Sequence, residues 1–509
     1  MDFLNIYFDD RIAIKNKYKM FNQKFHVVHK IVNFLINSDG SLQQRALRSG
    51  IWISITSVIV NALGLVKSIV LARLLAPEIF GLMAVSMIIL RGIETFTRPG
   101  IASALIHRQN GFEDAKYTAF SMFLIRGLLL STILFFSAPF IAEFYEHDLL
   151  TSILQVIAIA FIINSFNNIN TISYQKKLNY RRLANLEQTV AVVNTIVTIA
   201  LAYYLRSVWA LVGGYLITIT FNTLLSYILI PGKPKIEFNK AIAVELLSYG
   251  KFITGATIVL YIAKELDNAI LGKILGMTNL GYYVVAFTMA DLLSNQVARF
   301  ASQIMFPAYS ELQNDKKSLR NAFLKSLNLV FTLTLPATVC IVLIANELIL
   351  NVYGKKWMPA VEPLQILCIF GMVRSATMVT GYLLNGIGKP NIDFYTALVR
   401  LTILAIIIYP LIYLYGLNGA AISVTIAIGF QWLFAIRAVS KLINVSKIEL
   451  FNTMTMPFIK SIVLGIVILI AHWLVDMTQL TSFIGVLFVI GFAYLMLNQK
   501  LIRQMISSR

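Results

Sequence analysis

Apolar runs long enough to cross the hydrocarbon core of a bilayer, about 20 residues each, recur along almost the whole chain from Ile51 onward. Backbone in lipid finds no water to bond, so each run must satisfy its own N–H and C=O groups as a helix. About fourteen such spans fit between residues 50 and 499. The connections are short, and none could hold a folded extramembrane domain. The expected fold class is therefore an all-α polytopic membrane protein. Only 13% of the residues are charged and 58% are hydrophobic, where a soluble domain carries roughly 25% charge. Mean hydropathy is +0.75. Pro99, Pro139, Pro307, Pro336 and Pro410 are expected to mark kinks or ends of spans.

The second constraint is a duplication. Residues 49 to 98 hold two spans joined by Ala76-Pro77-Glu78, and the pattern returns two hundred positions later without a gap. Gly50 falls on Gly250, Ile53 on Ile253, Leu71 on Leu271, Leu75 on Leu275 and Gly81 on Gly281, while Arg73 becomes Lys273. An internal repeat in a polytopic chain predicts two related lobes with a path between them. The expected organisation is a basic interfacial segment over 1–48, an N-lobe of six spans over 49–231 and a linker over 232–243. A C-lobe of six spans follows over 244–441, then two further spans and a basic tail over 442–509.

Ionisable side chains within spans are costly unless they face a protein or water-filled interior. They concentrate on the first two spans of each repeat: Lys67, Arg91, Glu94 and Arg98 in one, and Lys264, Glu265, Asp267, Asp291 and Arg299 in the other. Arg91, Glu94 and Arg98 are spaced i, i+3, i+7 and share a helix face. Such arginines could bind the phosphates of an anionic substrate bidentately, or Glu94 could simply neutralise them for packing. Lys67 stands alone in its helix and needs an external partner or water. In the repeat register Lys67 lies opposite Asp267 and Arg91 opposite Asp291. Those pairs would close one face of a shared cavity, or one of the aspartates would bind a coupling H⁺ or Na⁺. Lys264 or Glu265 could instead reach an interface by snorkelling. The candidate substrate-binding set is Lys67, Arg91, Arg98 and Arg299. The candidate interlobe-pairing or ion-coupling set is Glu94, Lys264, Glu265, Asp267 and Asp291.

The net charge of +19 is distributed as a membrane protein distributes it. Arg45, Arg48, Lys176, Lys177, Arg181, Arg182, Lys233, Lys235, Lys316 and Lys317 fall on one side, and only a few such as Arg73, Lys273 and Lys355 on the other. The bias is about fourfold and puts both termini in the cytoplasm. No basic stripe sits on a soluble domain, so nucleic acid is not an expected partner. Cys340 and Cys368 both fall within spans, which points to small core residues rather than a disulfide or metal site. No cleavable signal peptide is read at the N-terminus. Phe21, Phe25, Val28, Val32 and Leu35, flanked by Lys17, Lys19, Lys24 and Lys30, follow the spacing of a basic amphipathic helix, the alternative being a poorly ordered tail. His26 and His29 lack accompanying ligands for a metal. Asn385-Gly386-Ile387-Gly388-Lys389-Pro390 lacks the first Gly and final Ser or Thr of a phosphate loop and is expected to be a turn. No HExxH, CxxC or GxSxG occurs, and no catalytic residue, metal or cofactor is expected beyond the coupling ion.

The run from Leu42 through Arg45, Arg48 and Trp52, and the run Leu71-Ala72-Arg73-Leu74-Leu75-Ala76-Pro77-Glu78-Ile79-Phe80-Gly81-Leu82, resemble the opening of WzxC-type polysaccharide transporters. So do Phe306-Pro307-Ala308-Tyr309-Ser310 and the Asn385–Pro390 turn, and Val208-Trp209-Ala210 and Gly416-Leu417-Asn418 open equivalent spans of the two lobes. The resemblance covers about residues 41 to 500 and implies membership of the multidrug/oligosaccharidyl-lipid/polysaccharide exporter superfamily. It implies two pseudo-symmetric six-helix lobes, plus two C-terminal helices, around a V-shaped cavity lined largely by spans 1, 2, 7 and 8. It further implies a flippase, not an enzyme, that carries undecaprenyl-pyrophosphate-linked oligosaccharide across a bacterial inner membrane. Membrane lipids, a polysaccharide polymerase and its chain-length machinery would be its partners. The segment before Leu42 departs from that pattern, and no individual substrate residue carries over. A cation-coupled drug exporter of the same fold is the competing expectation, although the basic N-lobe opposes it. A membrane polymerase or ligase would need a large extramembrane loop for its catalytic residues.

Overall fold

The structure, a computed structural model, describes residues 42–97, 100–108, 110–300 and 305–499. The amphipathic segment expected before Leu42 and the residue Arg98 lie outside these, as does the side chain of Arg299. The first half contains α1 (Leu42–Leu74), α2 (Pro77–Thr97), the short α3 (Ile101–His107), α4 (Phe112–Phe144), α5 (Leu149–Ser165), the short α6 (Asn170–Lys176), α7 (Tyr180–Leu205) and α8 (Val208–Leu229). The second half contains α9 (Lys240–Phe300), the short α10 (Phe306–Glu311), α11 (Lys316–Leu343), α12 (Ala345–Leu348), α13 (Val361–Gly386) and α14 (Pro390–Ile443). Helices α15 (Lys447–Leu474) and α16 (Leu480–Leu497) follow, and no strand occurs among the described residues.

Among the described residues ten helices are long and apolar enough to cross a membrane, eleven when α5 and α6, bent by 62°, count as one broken span. Two of the ten are double. Helix α9 breaks at Gly276 (φ 80°, ψ 176°) and α14 at Gly416 (φ 55°, ψ −129°). Such dihedrals exclude a side chain with a Cβ at little cost, so glycine sets both breaks. With the apolar α16 added, the chain makes about fourteen passes, the number its apolar runs require. Pro139, Pro336 and Pro410 sit inside helices, and Pro307 stands in the first turn of α10, beyond the end of α9. In lipid, neighbouring helices and small polar side chains satisfy what a proline frees, so it is tolerated there.

The duplication is visible in the break positions. Gly276 falls where Ala76 stands in the α1–α2 turn, so the same reversal occurs in both halves. The two halves meet chiefly where α2 packs along α9. One continuous core cluster crosses that seam, including Leu82, Val85 and Leu90 from α2, Leu271, Leu280 and Tyr283 from α9, and Phe370 from α13. Outside the two halves, α15 lies on α11, and α16 on α15. Leu464, Ile468, Phe483 and Val486 join Ile344 in a separate buried cluster there.

The 231–239 linker runs without helix and is tied to the first half. Asn168, fully buried, donates through Nδ2 to the carbonyls of Ser226 (3.3 Å), Ile230 (2.9 Å) and Gly232 (3.2 Å). Asn170 donates to the same Gly232 carbonyl, and Ser121 donates to the Glu237 carbonyl at 2.8 Å. Buried amides that meet backbone carbonyls in this way hold an irregular strand of chain as firmly as a helix turn.

Candidate translocation cavity

Between the halves lies a cavity of about 330 Å³. Lys67 and Leu71 enter it from α1, Met83, Met87 and Arg91 from α2, Leu211 from α8, and Glu265, Asn268 and Val284 from α9. Two of the expected cations and one expected carboxylate therefore share a single space drawn from both halves. Arg91 is exposed within it, whereas Glu94, one turn further, is half-buried and does not line it.

Lys67 stands in the wall between two spaces. Its Nζ donates to Asn194 Oδ1 of α7 at 2.5 Å, the external partner that an isolated intramembrane ammonium needs. A second cavity, of about 410 Å³, lies behind it within the first half, lined by Lys67, Glu187, Asn194, Thr195, Thr218 and Asn222. Sequence reasoning missed this group. Glu187 stands at the start of its span and the other four polar members are uncharged, so a search for charges away from span ends passes over all of them. The unmatched Lys67 was the available signal: some polar residue on a neighbouring helix had to face it.

The cross-lobe pairs expected from the repeat register do not form. Lys67 turns to Asn194, and Asp267, only 2% exposed, accepts from the hydroxyl of Tyr283 at 2.7 Å. Asp291 forms its ion pair with Arg374 of α13 instead of Arg91. Equivalent backbone positions in two lobes share a fold location, not a neighbour. Each buried carboxylate has taken the nearest donor inside its own lobe, which saves desolvating a second charge at the seam. Lys264 pairs with Glu265 at 3.1 Å and points outward, 58% exposed, while Asn268 donates to Glu265 Oε2 at 3.2 Å. Glu265 thus reaches the cavity with two partners already in place.

Two arginines, Arg374 of α13 and Arg400 of α14, complete a polar network inside the second half. Arg400 of α14 lies over the Phe370 ring, 5.8 Å to its centroid, within electrostatic reach of Asp267 and Asp291. Asp267 Oδ1 and Arg400 Nε are both buried without a hydrogen-bond partner. Arg126, the charge of α4, has a mechanical task. Its guanidinium donates to the Glu94 carbonyl at 2.8 Å and the Thr97 carbonyl at 3.2 Å, satisfying the open end of α2. On the other flank Tyr261 of α9 donates to the Ile88 carbonyl and sets its ring against Phe96, 6.0 Å between centroids. Helix α2, which carries Arg91, is held from both sides. Cys340 and Cys368 are free thiols. Among the described residues no group of three or more His, Cys, Asp or Glu could hold a metal ion.

Two duplicated halves thus meet around a charged space drawn from both. Residues 70–362 match the family model described as "Polysaccharide biosynthesis protein". The chain is 26% identical over 391 residues to the lipopolysaccharide biosynthesis protein WzxC of Escherichia coli K12, covering 76% of this chain and 78% of that one. It is 24% identical over 463 residues to a membrane protein encoded in the cps region of Klebsiella pneumoniae, covering 90% and 95%. Among solved structures, the lipid II flippase MurJ in its inward closed conformation superposes with a TM-score of 0.69 at 15% identity, covering 90% of this chain and all of that one. The chain is a multi-pass transporter rather than an enzyme, and it belongs to the polysaccharide biosynthesis protein family.

Proposed function

We propose that the protein moves an undecaprenyl-pyrophosphate-linked oligosaccharide repeat unit from the cytoplasmic to the outer leaflet of a bacterial inner membrane by alternating access. The product would feed O-antigen, capsule or exopolysaccharide synthesis. The observation that carries this reading is the meeting of Lys67 and Arg91, from two different helices, in one cavity between the lobes. A diphosphate brings two or more negative charges into a space of low dielectric, where an arginine fork and an ammonium bind it with charge-assisted hydrogen bonds. The polyprenyl tail stays in lipid, so the protein needs to shelter only the polar head. A space of about 330 Å³ lies at the small end of ligand sites. It cannot enclose several sugar rings, so the lobes must part to admit the head group. Arg98 and Arg299, named from the sequence, would extend the same cationic path in this reading.

The bias of basic residues supports a reading with both termini in the cytoplasm, in which α1 begins on that side. Coupling to H⁺ or Na⁺ is assigned to Asp267, whose Oδ1 is buried with no partner beside an arginine that is likewise incompletely bonded. The polymerase and chain-length machinery that use the product would be neighbours in the membrane. Replacement of Lys67 by Met and Arg91 by Ala, in a strain whose own transporter is deleted, tests the reading. Surface polysaccharide should fall about tenfold or more for the double variant while protein level holds. Unchanged polysaccharide would remove both residues from the substrate path.

Glu265 in the same cavity favours a second reading, export of small cationic solutes coupled to a cation. Overexpression with a panel of cationic drugs separates the two. The flippase reading predicts no gain of resistance.

A further inference from the structure

The duplication has a physical meeting point. A Cβ on Gly81 would stand 1.8 Å from the carbonyl oxygen of Met277, and one on Gly281 would stand 1.9 Å from the carbonyl oxygen of Pro77. Gly81 and Gly281 are equivalent in the repeat, and so are Pro77 and Met277. Each half therefore lays its glycine on the other half's opening carbonyl, which is the reciprocal contact a two-fold axis demands. Real Cβ atoms essentially never come within 3.0 Å, so any larger residue would force these helix starts apart by more than an ångström.

The basic residues beside the glycines repeat the reciprocity. Arg73 reaches into the second half and donates to the carbonyls of Val352 (2.9 Å) and Asn351. Its equivalent Lys273 reaches into the first half and meets Glu146 at 2.6 Å. Each thus crosses to the connection that follows the other lobe's third span. Lys356 and Trp357 close the top: Lys356 Nζ donates to the Leu75 carbonyl at 2.7 Å, and Trp357 Nε1 donates to the Ala72 carbonyl at 2.8 Å. The indole, fully buried, stands edge-on to Phe80 (5.1 Å) and Tyr282 (5.9 Å), one ring from each half.

We propose that the reciprocal contacts of Gly81 with Met277 and of Gly281 with Pro77, with their Arg73, Lys273 and Trp357 cross-arms, are the latch that seals the cavity at the α1–α2 end. Opening toward that side is the breaking of these contacts. The glycines are required because only they let two helix starts touch through backbone. The proposal rests on the reading of the chain as an alternating-access carrier, but not on which substrate it carries.

The test is cavity labelling of the full chain in native membranes. Met87, which lines the cavity, is replaced by Cys in a background with Cys340 and Cys368 changed to Ala. A membrane-impermeant maleimide is then applied to right-side-out or to inside-out vesicles. Gly81→Ala and Gly281→Ala should each raise labelling from the α1–α2 face by about tenfold or more and lower it from the opposite face. Gly491→Ala, at a glycine with open space around it, should leave both faces unchanged. Trp357→Phe and Arg73→Gln should move labelling in the same direction by a smaller factor. Wild-type labelling on both faces in the glycine variants overturns the proposal. If the glycine variants fail to accumulate, unchanged labelling in both Trp357→Phe and Arg73→Gln overturns it equally. A labelling shift together with no glycan transport would keep the latch and remove the flippase reading alone.

Discussion

The ion pair between Arg374 and Asp291 offers the sharpest energetic test of the second half. Their side chains are 21% and 15% exposed, so solvent screens them weakly. Removing one partner from such a pair leaves an uncompensated buried charge and costs about 3–5 kcal/mol, whereas replacing both by apolar groups is near neutral. The two single variants are not equivalent. Arg374→Met leaves Asp291 within reach of Arg400, which can take over part of the compensation. Asp291→Leu leaves Arg374 and Arg400 to repel one another across the same space. Asp291→Leu is therefore expected to cost about 4–5 kcal/mol, and Arg374→Met nearer 3. The double variant is expected within about 1–2 kcal/mol of wild type, so the cycle carries a large favourable coupling. The assay is denaturant unfolding of the purified protein in detergent, followed by tryptophan fluorescence, with each variant measured in the same micelle. Additive losses in the double variant, or a milder loss from Asp291→Leu than from Arg374→Met, would refute the reasoning.

Other outcomes follow from the same contacts. Asn168→Ala should lower stability by about 1–3 kcal/mol and expose the 231–239 linker to protease, since buried carbonyls lose their donor. Asn194→Ala should reduce transport less than Lys67→Met, because it unties the ammonium without removing its charge; equal loss would make the tether itself the functional element. The hydrogen bond and charge of Lys273 hold the Glu146 carboxyl below the usual carboxylate range. Its contribution to the closed state is thus complete above the ordinary carboxylate value and lost only as pH falls through the lowered one. The ratio of cavity labelling from the two faces, in which the thiol's own pH dependence cancels, should accordingly stay flat between about pH 8 and pH 5. Glu146→Gln should change that labelling by less than about twofold, because an exposed pair is worth little. Changing both cysteines to Ala should leave transport intact, and a non-reducing gel should show no mobility difference.

The fold was legible because lipid allows so few solutions. Apolar length gave the passes, and the two-hundred-residue register gave the two related lobes. The site was only half legible. Lys67, Arg91 and Glu265 could be found as ionisable residues in spans, since burying charge without purpose is costly. Their partners could not. Asn194 is neutral, Arg73 and Lys356 bond to backbone carbonyls, and carbonyls leave no trace in residue identity. The register matched Gly81 to Gly281, each of which lies on the other half's equivalent carbonyl, yet misled for Lys67 and Asp267. Backbone contacts at the axis repeat by symmetry, whereas Lys67, Asp267 and Asp291 take partners within their own lobe. Helices α3, α6 and α10 are too short for a hydropathy pattern to announce. Trp357, in a 3₁₀ turn between spans, reads as an ordinary loop residue until the ring pair around it is seen.

The central claim is that the cationic space between the lobes carries the diphosphate head of a lipid-linked glycan across the bilayer. Purified protein in liposomes, loaded with a fluorescent polyprenyl-diphosphate oligosaccharide, measures this directly through the access of an external glycosidase to the glycan over time. Wild-type protein should expose glycan from the inner leaflet, and the Lys67→Met/Arg91→Ala variant should do so about tenfold more slowly or worse. Equal rates for the two proteins, or no movement of glycan by the wild type, would contradict the account.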